Sequence, residues 1–281
     1  MHIRESASRA FTLLAKNPAL FGRVLVTKAN AARPAATVPL RCRFGDVLFD
    51  LDPANNPAAA AMYRGSYSGL VVDAMKRYLH PGDVFIDIGA NVGYLSAIAA
   101  ALVQTEGQVH SFEPVPRYFR NLHRLAELNP AYRIVTNGCA AGAAPAVSAI
   151  LVTREPGQNT LVPHYKSGAE VTATLEVPVI RLDSYIETHH IARVAVIKID
   201  AEGFELPVLE GLERILDQGQ RPTIICEIAP KAYRLLGRSA AELVRFMSRY
   251  GYSARDIIDG KTPVNLIALR HVTDVLLLSH S

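Results

Sequence analysis

One stretch constrains the fold more than any other: Pro81-Gly82-Asp83-Val84-Phe85-Ile86-Asp87-Ile88-Gly89-Ala90-Asn91-Val92-Gly93-Tyr94. An apolar run long enough for one strand enters a turn with two glycines, and an alanine-rich helical run, Tyr94–Val103, leaves it. A strand, a glycine turn and a helix in that order form the opening unit of a Rossmann-like βαβ fold. Gly89 lets the backbone turn tightly and approach a ligand, and Gly93 lets the helix pack closely.

The rest of the chain repeats the alternation. Helices are predicted over Leu70–Leu79, Arg117–Leu128, Leu206–Leu216 and Ala240–Tyr250. Strands are predicted over Gln108–Phe112, Arg133–Thr136, Val194–Ile199 and Thr223–Ile228, and near Tyr252–Ile258 and Val264–Leu269. Continuous apolar strands between helices imply a mainly parallel sheet covered on both faces. Residues 40–51 read as a strand or hairpin, and Asn55-Asn56-Pro57 as a loop. Residues 139–180 differ: Val/Thr-rich pieces are separated by Pro156-Gly157 and Ser167-Gly168, which predicts a β-rich insertion. Residues 134–153 carry no charge, but Asn137, Gly138, Gly142 and Pro145 make strand, turn and strand a better reading than a membrane span.

The glycine turn also points to a ligand. Its Gly-Ala-Asn-Val-Gly spacing lacks the extra glycine with which GxGxxG receives a diphosphate. S-adenosylmethionine carries no phosphate but has an ammonium and a sulfonium, and Asp87 at the strand end suits that positive end. Gly89, Ala90, Asn91 and Gly93 form the expected cofactor loop. Glu113 ends the next strand, 24 residues after Gly89, where an acid accepts hydrogen bonds from both ribose hydroxyls. Asn137 ends the third strand, toward the adenine edge.

Carboxylates collect at the ends of the next two strands. Asp200 closes one, with Glu202 and Glu205 after it, and Glu227 closes the other. Ligands of open α/β sheets bind at these carboxyl ends. An alcohol needs its proton removed before it attacks a methyl group, by a carboxylate or histidine base or by a metal that lowers its pKa. Asp200, Glu202, Glu227 and His164 are the candidate catalytic residues. Asp200 is also a cofactor-binding candidate, and alternatively an N-cap. Glu205 reads equally as a solvated first-turn acid or a substrate contact, and His189-His190 as a helix end. No His/Cys cluster has metal-site spacing. A divalent cation such as Mg²⁺ held by Asp200 and Glu227 is the alternative to direct base catalysis by that pair. Asp200-Ala201-Glu202-Gly203 stands where enzymes acting on base nitrogens carry Asn/Asp-Pro-Pro-aromatic, which favours oxygen as the acceptor atom.

Charge separates an arm from the body. Residues 1–43 hold eight Lys/Arg and one acid, a net +7, which leaves −3 for the remainder of a chain totalling +4. A mildly acidic body argues against a nucleic-acid substrate. The basic arm, residues 1–39, has an amphipathic helical pattern over 4–16 and a Pro/Ala-rich linker over 31–39. It suits peripheral contact with a membrane surface, an acidic partner or glycan, completion of a homodimer, or a solvated extension. Residues 40–281 then form the catalytic domain. Arg9, Lys16 and Arg23 interrupt every apolar run near the start, so no signal peptide is predicted. Cys42, Cys139 and Cys226 are odd in number and far apart, which fits a reducing cytoplasm rather than a disulfide framework.

Three segments resemble the FkbM family of methyltransferases: Gly82–Gly93, Phe112-Glu113-Pro114, and Ile197-Lys198-Ile199-Asp200-Ala201-Glu202-Gly203-Phe204-Glu205. Tyr63-Arg64-Gly65-Ser66-Tyr67 is similar to the family's segment before its first core helix, although Ser68 stands where the family has an acid. The resemblance covers roughly residues 60–270. It implies a class I methyltransferase fold, a seven-stranded mostly parallel sheet with helices on both faces. It also implies S-adenosylmethionine-dependent methyl transfer to oxygen, mostly on sugars and natural products, so a small-molecule or glycan acceptor is expected. Two other classes are a nicotinamide-dependent oxidoreductase and a non-catalytic nucleoside-binding module. The first is disfavoured by the missing third glycine and the absence of a Tyr-x-x-x-Lys pair.

Overall fold

A computed structural model describes residues 40–51, 58–154, 157–165 and 168–279. The arm and the Asn55–Pro57 loop lie outside these residues. The chain separates into two units, one holding the described residues of 40–42 and 50–69, the other 43–49 and those from 70 onward. In the first unit a short helix α1 (Ala59–Tyr63) is tied to Leu51, whose N–H and carbonyl both bond the Tyr63 hydroxyl at 2.8 Å. Strands β1 (Leu40–Phe44) and β2 (Val47–Leu51) form the hairpin expected over 40–51. Helix α2 follows at Gly69–Tyr78.

The second unit is built on seven strands. β3 (Val84–Ile88), β4 (Gln108–Phe112) and β5 (Arg133–Asn137) alternate with helices α3 (Tyr94–Val103) and α4 (Pro116–Leu128). After the insertion come helix α5 (Leu182–Thr188), β9 (Val196–Ile199), short helices α6 (Glu205–Glu210) and α7 (Glu213–Asp217), and β10 (Thr223–Ile228). Helices α8 (Pro230–Leu235) and α9 (Ala240–Arg249), β11 (Tyr252–Asp256) and β12 (Thr273–Ser279) complete the unit. The sheet order is β5-β4-β3-β9-β10-β12-β11. β12 runs antiparallel between β10 and β11, and the other pairs are parallel. This is the seven-stranded, mostly parallel Rossmann-like sheet expected. Phe85, Ile86, Ile197 and Ile199 are fully buried at its centre, each contributing ~1.5–3 kcal/mol.

The strand order reverses between β3 and β9, which opens a crevice at their carboxyl ends. The insertion forms a separate three-stranded sheet: β6 (Ala140–Ala141) pairs with β8 (Val171–Ile180), and β7 (Ala146–Thr153) pairs with the other edge of β8. Its register slips at Val152/Thr153.

Two expected elements differ. The helix over 206–216 is broken at Gly211, where an added Cβ would lie 2.4 Å from the Gly142 carbonyl oxygen, so close packing against the insertion ends α6. Val264–Leu269 is not a strand but a 3₁₀ turn at Leu266–Ala268, because the Asn265 side chain captures the N–H groups of Ile267 and Ala268. The last strand lies further on, at Thr273–Ser279. Among the described residues no helix is long and apolar enough to cross a membrane.

Candidate active site at the switch point

Register explains the polar centre of the sheet. Asp87 on β3 is the cross-strand partner of Ser111 on β4 and of Lys198 on β9, so the three side chains share one face. Helix α3 covers that face with Ser96, which donates to Asp87 Oδ2 at 2.7 Å and accepts from the Ser111 hydroxyl at 2.8 Å. Asp87 is fully buried, and its Oδ1 lacks a hydrogen-bond partner among the described residues. Burial pushes its carboxyl up, opposed by Lys198 and Ser96. The acid expected at the cofactor's positive end therefore sits inside the sheet rather than on the cleft wall.

The turn after β3 is shaped by contacts. Gly89 has φ 75°, and a Cβ there would lie 1.9 Å from the Asp200 carbonyl oxygen. The amides of Gly89 and Ala90 both donate to the Phe112 carbonyl. Gly93 has φ 87°, and its missing Cβ leaves room for Leu122 and Leu125 of α4. Its role is packing between helices.

Glu113 is held at both oxygens: Oε2 accepts from the Asn91 N–H at 2.9 Å and Oε1 from the Val115 N–H at 2.8 Å. Burial raises this carboxyl to about 7, against the lowering effect of those two amides. The cleft encloses about 570 Å³, counting its open mouth, and is walled by Gly89, Asn91, Glu113, Asp200 and Glu202. The insertion contributes Ile150, Asn159 and Leu161. Asn137 is not on this wall. Its amide is committed to the Ser111 carbonyl and the Tyr185 hydroxyl, and Cys139 and Ala140 line the cleft at that end.

The carboxylates gather, with different environments. Asp200 is 39% exposed at its side chain and accepts an ion pair from Lys198 at 3.0 Å. It does not cap α6, whose N-cap is Phe204. Glu202 takes a left-handed φ of 51°, and its carbonyl accepts from Thr160 Oγ1 at 2.7 Å. Glu227 is half-buried with Oε2 unpartnered among the described residues, and burial followed by repulsion from Asp200, Glu202 and Glu205 pushes its carboxyl up.

His164 is exposed and not on the cleft wall. The same loop buries Val162 and Tyr165 against Ala229 and Ala232. Tyr165 is a buried side chain of that loop, and burial followed by the charges of Glu227, Glu202, Glu205 and Asp200 pushes its phenol up. Lys198 and Tyr165 escaped the sequence reading. A single lysine inside an otherwise apolar strand was the available signal for the first.

Glu205 is fully buried instead of solvated. Its Oε1 accepts from the Gly203 N–H at 2.7 Å, while Oε2 has no partner among the described residues. Burial, with smaller contributions from Asp200 and Glu202, raises it from 4.5 to about 8. A raised carboxyl stabilises the fold below its unfolded pKa, and that contribution is lost as pH rises through about 8. Glu205→Gln is expected to be more stable than the wild type by ~1–3 kcal/mol at alkaline pH, with a flatter dependence of Tm on pH. Parallel Tm curves for the two proteins would contradict this.

Strand order and the switch-point crevice define a Rossmann-like α/β protein. The methyltransferase FkbM domain pattern matches residues 87–254, more than half of the chain, and the chain belongs to that family. Methyltransferase 1 of Beauveria bassiana is 28% identical over 150 residues, 47% of this chain and 60% of that protein. Hexuronic acid methyltransferase AglP of Haloferax volcanii is 28% identical over 135 residues, 48% of this chain and 52% of that protein. The chain thus matches between about half and three-fifths of the length of these curated relatives. Among solved structures, Aeropyrum pernix fibrillarin with natively bound S-adenosyl-L-methionine is 11% identical, with a TM-score of 0.43 over 89% of this chain and 86% of that one.

The residues present fit S-adenosylmethionine. Glu113 offers two fixed acceptor oxygens, and the buried Asn91 Oδ1 faces no partner among the described residues.

Proposed function

We propose that the protein is an S-adenosylmethionine-dependent methyltransferase that methylates a hydroxyl of a sugar, glycan or hydroxylated small molecule. The observation that carries this reading is the convergence of Glu113, the Gly89 turn and Asp200 on one cleft. Glu113 receives the ribose hydroxyls on its remaining lone pairs, and the turn allows close approach. Bound there, S-adenosylmethionine supplies an electrophilic methyl group on a sulfonium.

Asp200, partly exposed at the cleft, accepts the proton of the acceptor hydroxyl. Ile150, Asn159 and Leu161 give the acceptor a wall of apolar surface with one amide, suited to a hydroxylated ring. The similarity to a hexuronic acid methyltransferase supports a sugar acceptor. The oxidoreductase alternative loses ground to the family match and to the antiparallel β12, which the all-parallel dinucleotide fold lacks.

Among the described residues no three His, Cys, Asp or Glu side chains are grouped to hold a metal ion. Proton removal by Asp200 is the preferred reading, and a Mg²⁺ ion held by Asp200 and Glu227 is the alternative. Activity is expected to survive exhaustive EDTA treatment. Loss of turnover in EDTA that Mg²⁺ restores would transfer the role to a metal.

A further inference from the structure

The mechanism above leaves Lys198 unused. A lysine in the central strand of a sheet, with its side chain 7% exposed, is a costly choice. If its task were to neutralise Asp87, an apolar pair of similar volume would serve the fold as well or better. Its Nζ instead reaches three elements: 3.0 Å to Asp200 Oδ2, 3.4 Å to the Gly89 carbonyl oxygen, and 3.9 Å to Asp87 Oδ1. Gly89 and Asp200 also meet through backbone, at the point where no Cβ fits. The ammonium thus spans the junction between the cofactor turn and the end of β9, bonding both sides.

We propose that Lys198 is a positioning residue that fixes the Gly89 turn and the Asp200 carboxylate relative to one another, so that the cofactor loop and the proton acceptor are held as one unit. The functional meaning of that unit rests on the methyltransferase reading; the coupling itself does not. Three amides report on the turn: those of Gly89 and Ala90, bonded to the Phe112 carbonyl, and that of Asn91, bonded to Glu113. All three are protected from solvent exchange as long as the turn is held.

The decisive comparison is between Asp87→Asn and the double variant Asp87→Asn/Lys198→Met. Both lack the buried acid, so the double variant leaves no orphaned charge at Asp87, and the two differ by the bonds from Lys198 to Asp200 and Gly89. Hydrogen exchange of the Gly89–Asn91 amides is expected to be at least about tenfold faster in the double variant, with β12 unchanged as an internal control. Its affinity for S-adenosylhomocysteine, measured by calorimetry, is expected to fall by about tenfold or more, a coupling of roughly 1.4 kcal/mol. Equal exchange and equal affinity in the two variants would reduce Lys198 to a counter-ion of Asp87 and overturn the proposal. Should either variant fail to fold, Lys198→Arg with Asp87 intact keeps the charge but replaces the compact ammonium by a planar fork. Faster exchange at the turn is then expected, and wild-type exchange overturns the proposal. Wild-type protein that does not bind S-adenosylhomocysteine would defeat the proposed function, while the exchange comparison would still decide the role of Lys198.

Discussion

Replacement of Glu113 by alanine is expected to weaken S-adenosylhomocysteine binding by ~2–3 kcal/mol, roughly 30- to 150-fold. The reason is geometric. Each Glu113 oxygen already accepts one backbone N–H, from Asn91 and from Val115, which aims the carboxylate and leaves one lone pair on each oxygen for a vicinal diol. Alanine removes both acceptors and orphans the two amides, so some loss of thermal stability should accompany it. Glu113→Gln keeps the shape with one acceptor and should fall between the two. The carboxyl titrates near 7, and its ionised form is the better acceptor, so wild-type affinity should rise as pH increases from about 6 to 8. Unchanged calorimetric affinity in Glu113→Ala would remove the ribose assignment.

The second large effect concerns turnover. Asp200→Asn is expected to abolish methyl transfer while leaving cofactor affinity within about tenfold, or roughly 1.4 kcal/mol. The amide is nearly isosteric and keeps an oxygen for Lys198, but it cannot accept the hydroxyl proton. The separation of the two readouts matters, because Asp200 also faces the cleft and its backbone oxygen abuts Gly89. Equal losses in binding and turnover would recast Asp200 as a cofactor ligand. A fully active Asp200→Asn enzyme would defeat base catalysis by this residue, and with it the reading of the carboxylate cluster.

Much of the sheet was legible because its strands are short segments bounded by strong breakers. Val84–Ile88, Gln108–Phe112 and Thr223–Ile228 fall where the pattern puts them, as does helix Tyr94–Val103. The C-terminal edge was harder. The leucine run in Thr273–Ser279 is too short and too little β-branched to separate strand from helix, and it becomes a strand by pairing with β10 and β11. Local chemistry also prevailed at Asn265, whose side chain makes a turn where a strand was expected.

The site was legible as a set of acids at strand ends, but not in its depth. Position at a strand end does not say which face a side chain takes. Asp87 falls on the face covered by α3 and is buried there, whereas Glu113 reaches the cleft. Glu205 read equally as a solvated acid or a substrate contact, yet the turn at Gly203 folds it inward. His164 and Tyr165 are neighbours in a loop without periodicity, and packing against Ala229 and Ala232 selects the tyrosine. Lys198 becomes informative once register sets it opposite Asp87.

The proposed function of this cleft is transfer of a methyl group from S-adenosylmethionine to oxygen. Its most direct test incubates the protein with methyl-labelled S-adenosylmethionine and a panel of saccharides and hydroxylated small molecules, followed by mass-spectrometric location of the label. The expected product is a methyl ether on one acceptor class, formed by the wild type and absent with Asp200→Asn. Label found on nitrogen or carbon, or ether formation that persists undiminished in Asp200→Asn, would contradict it.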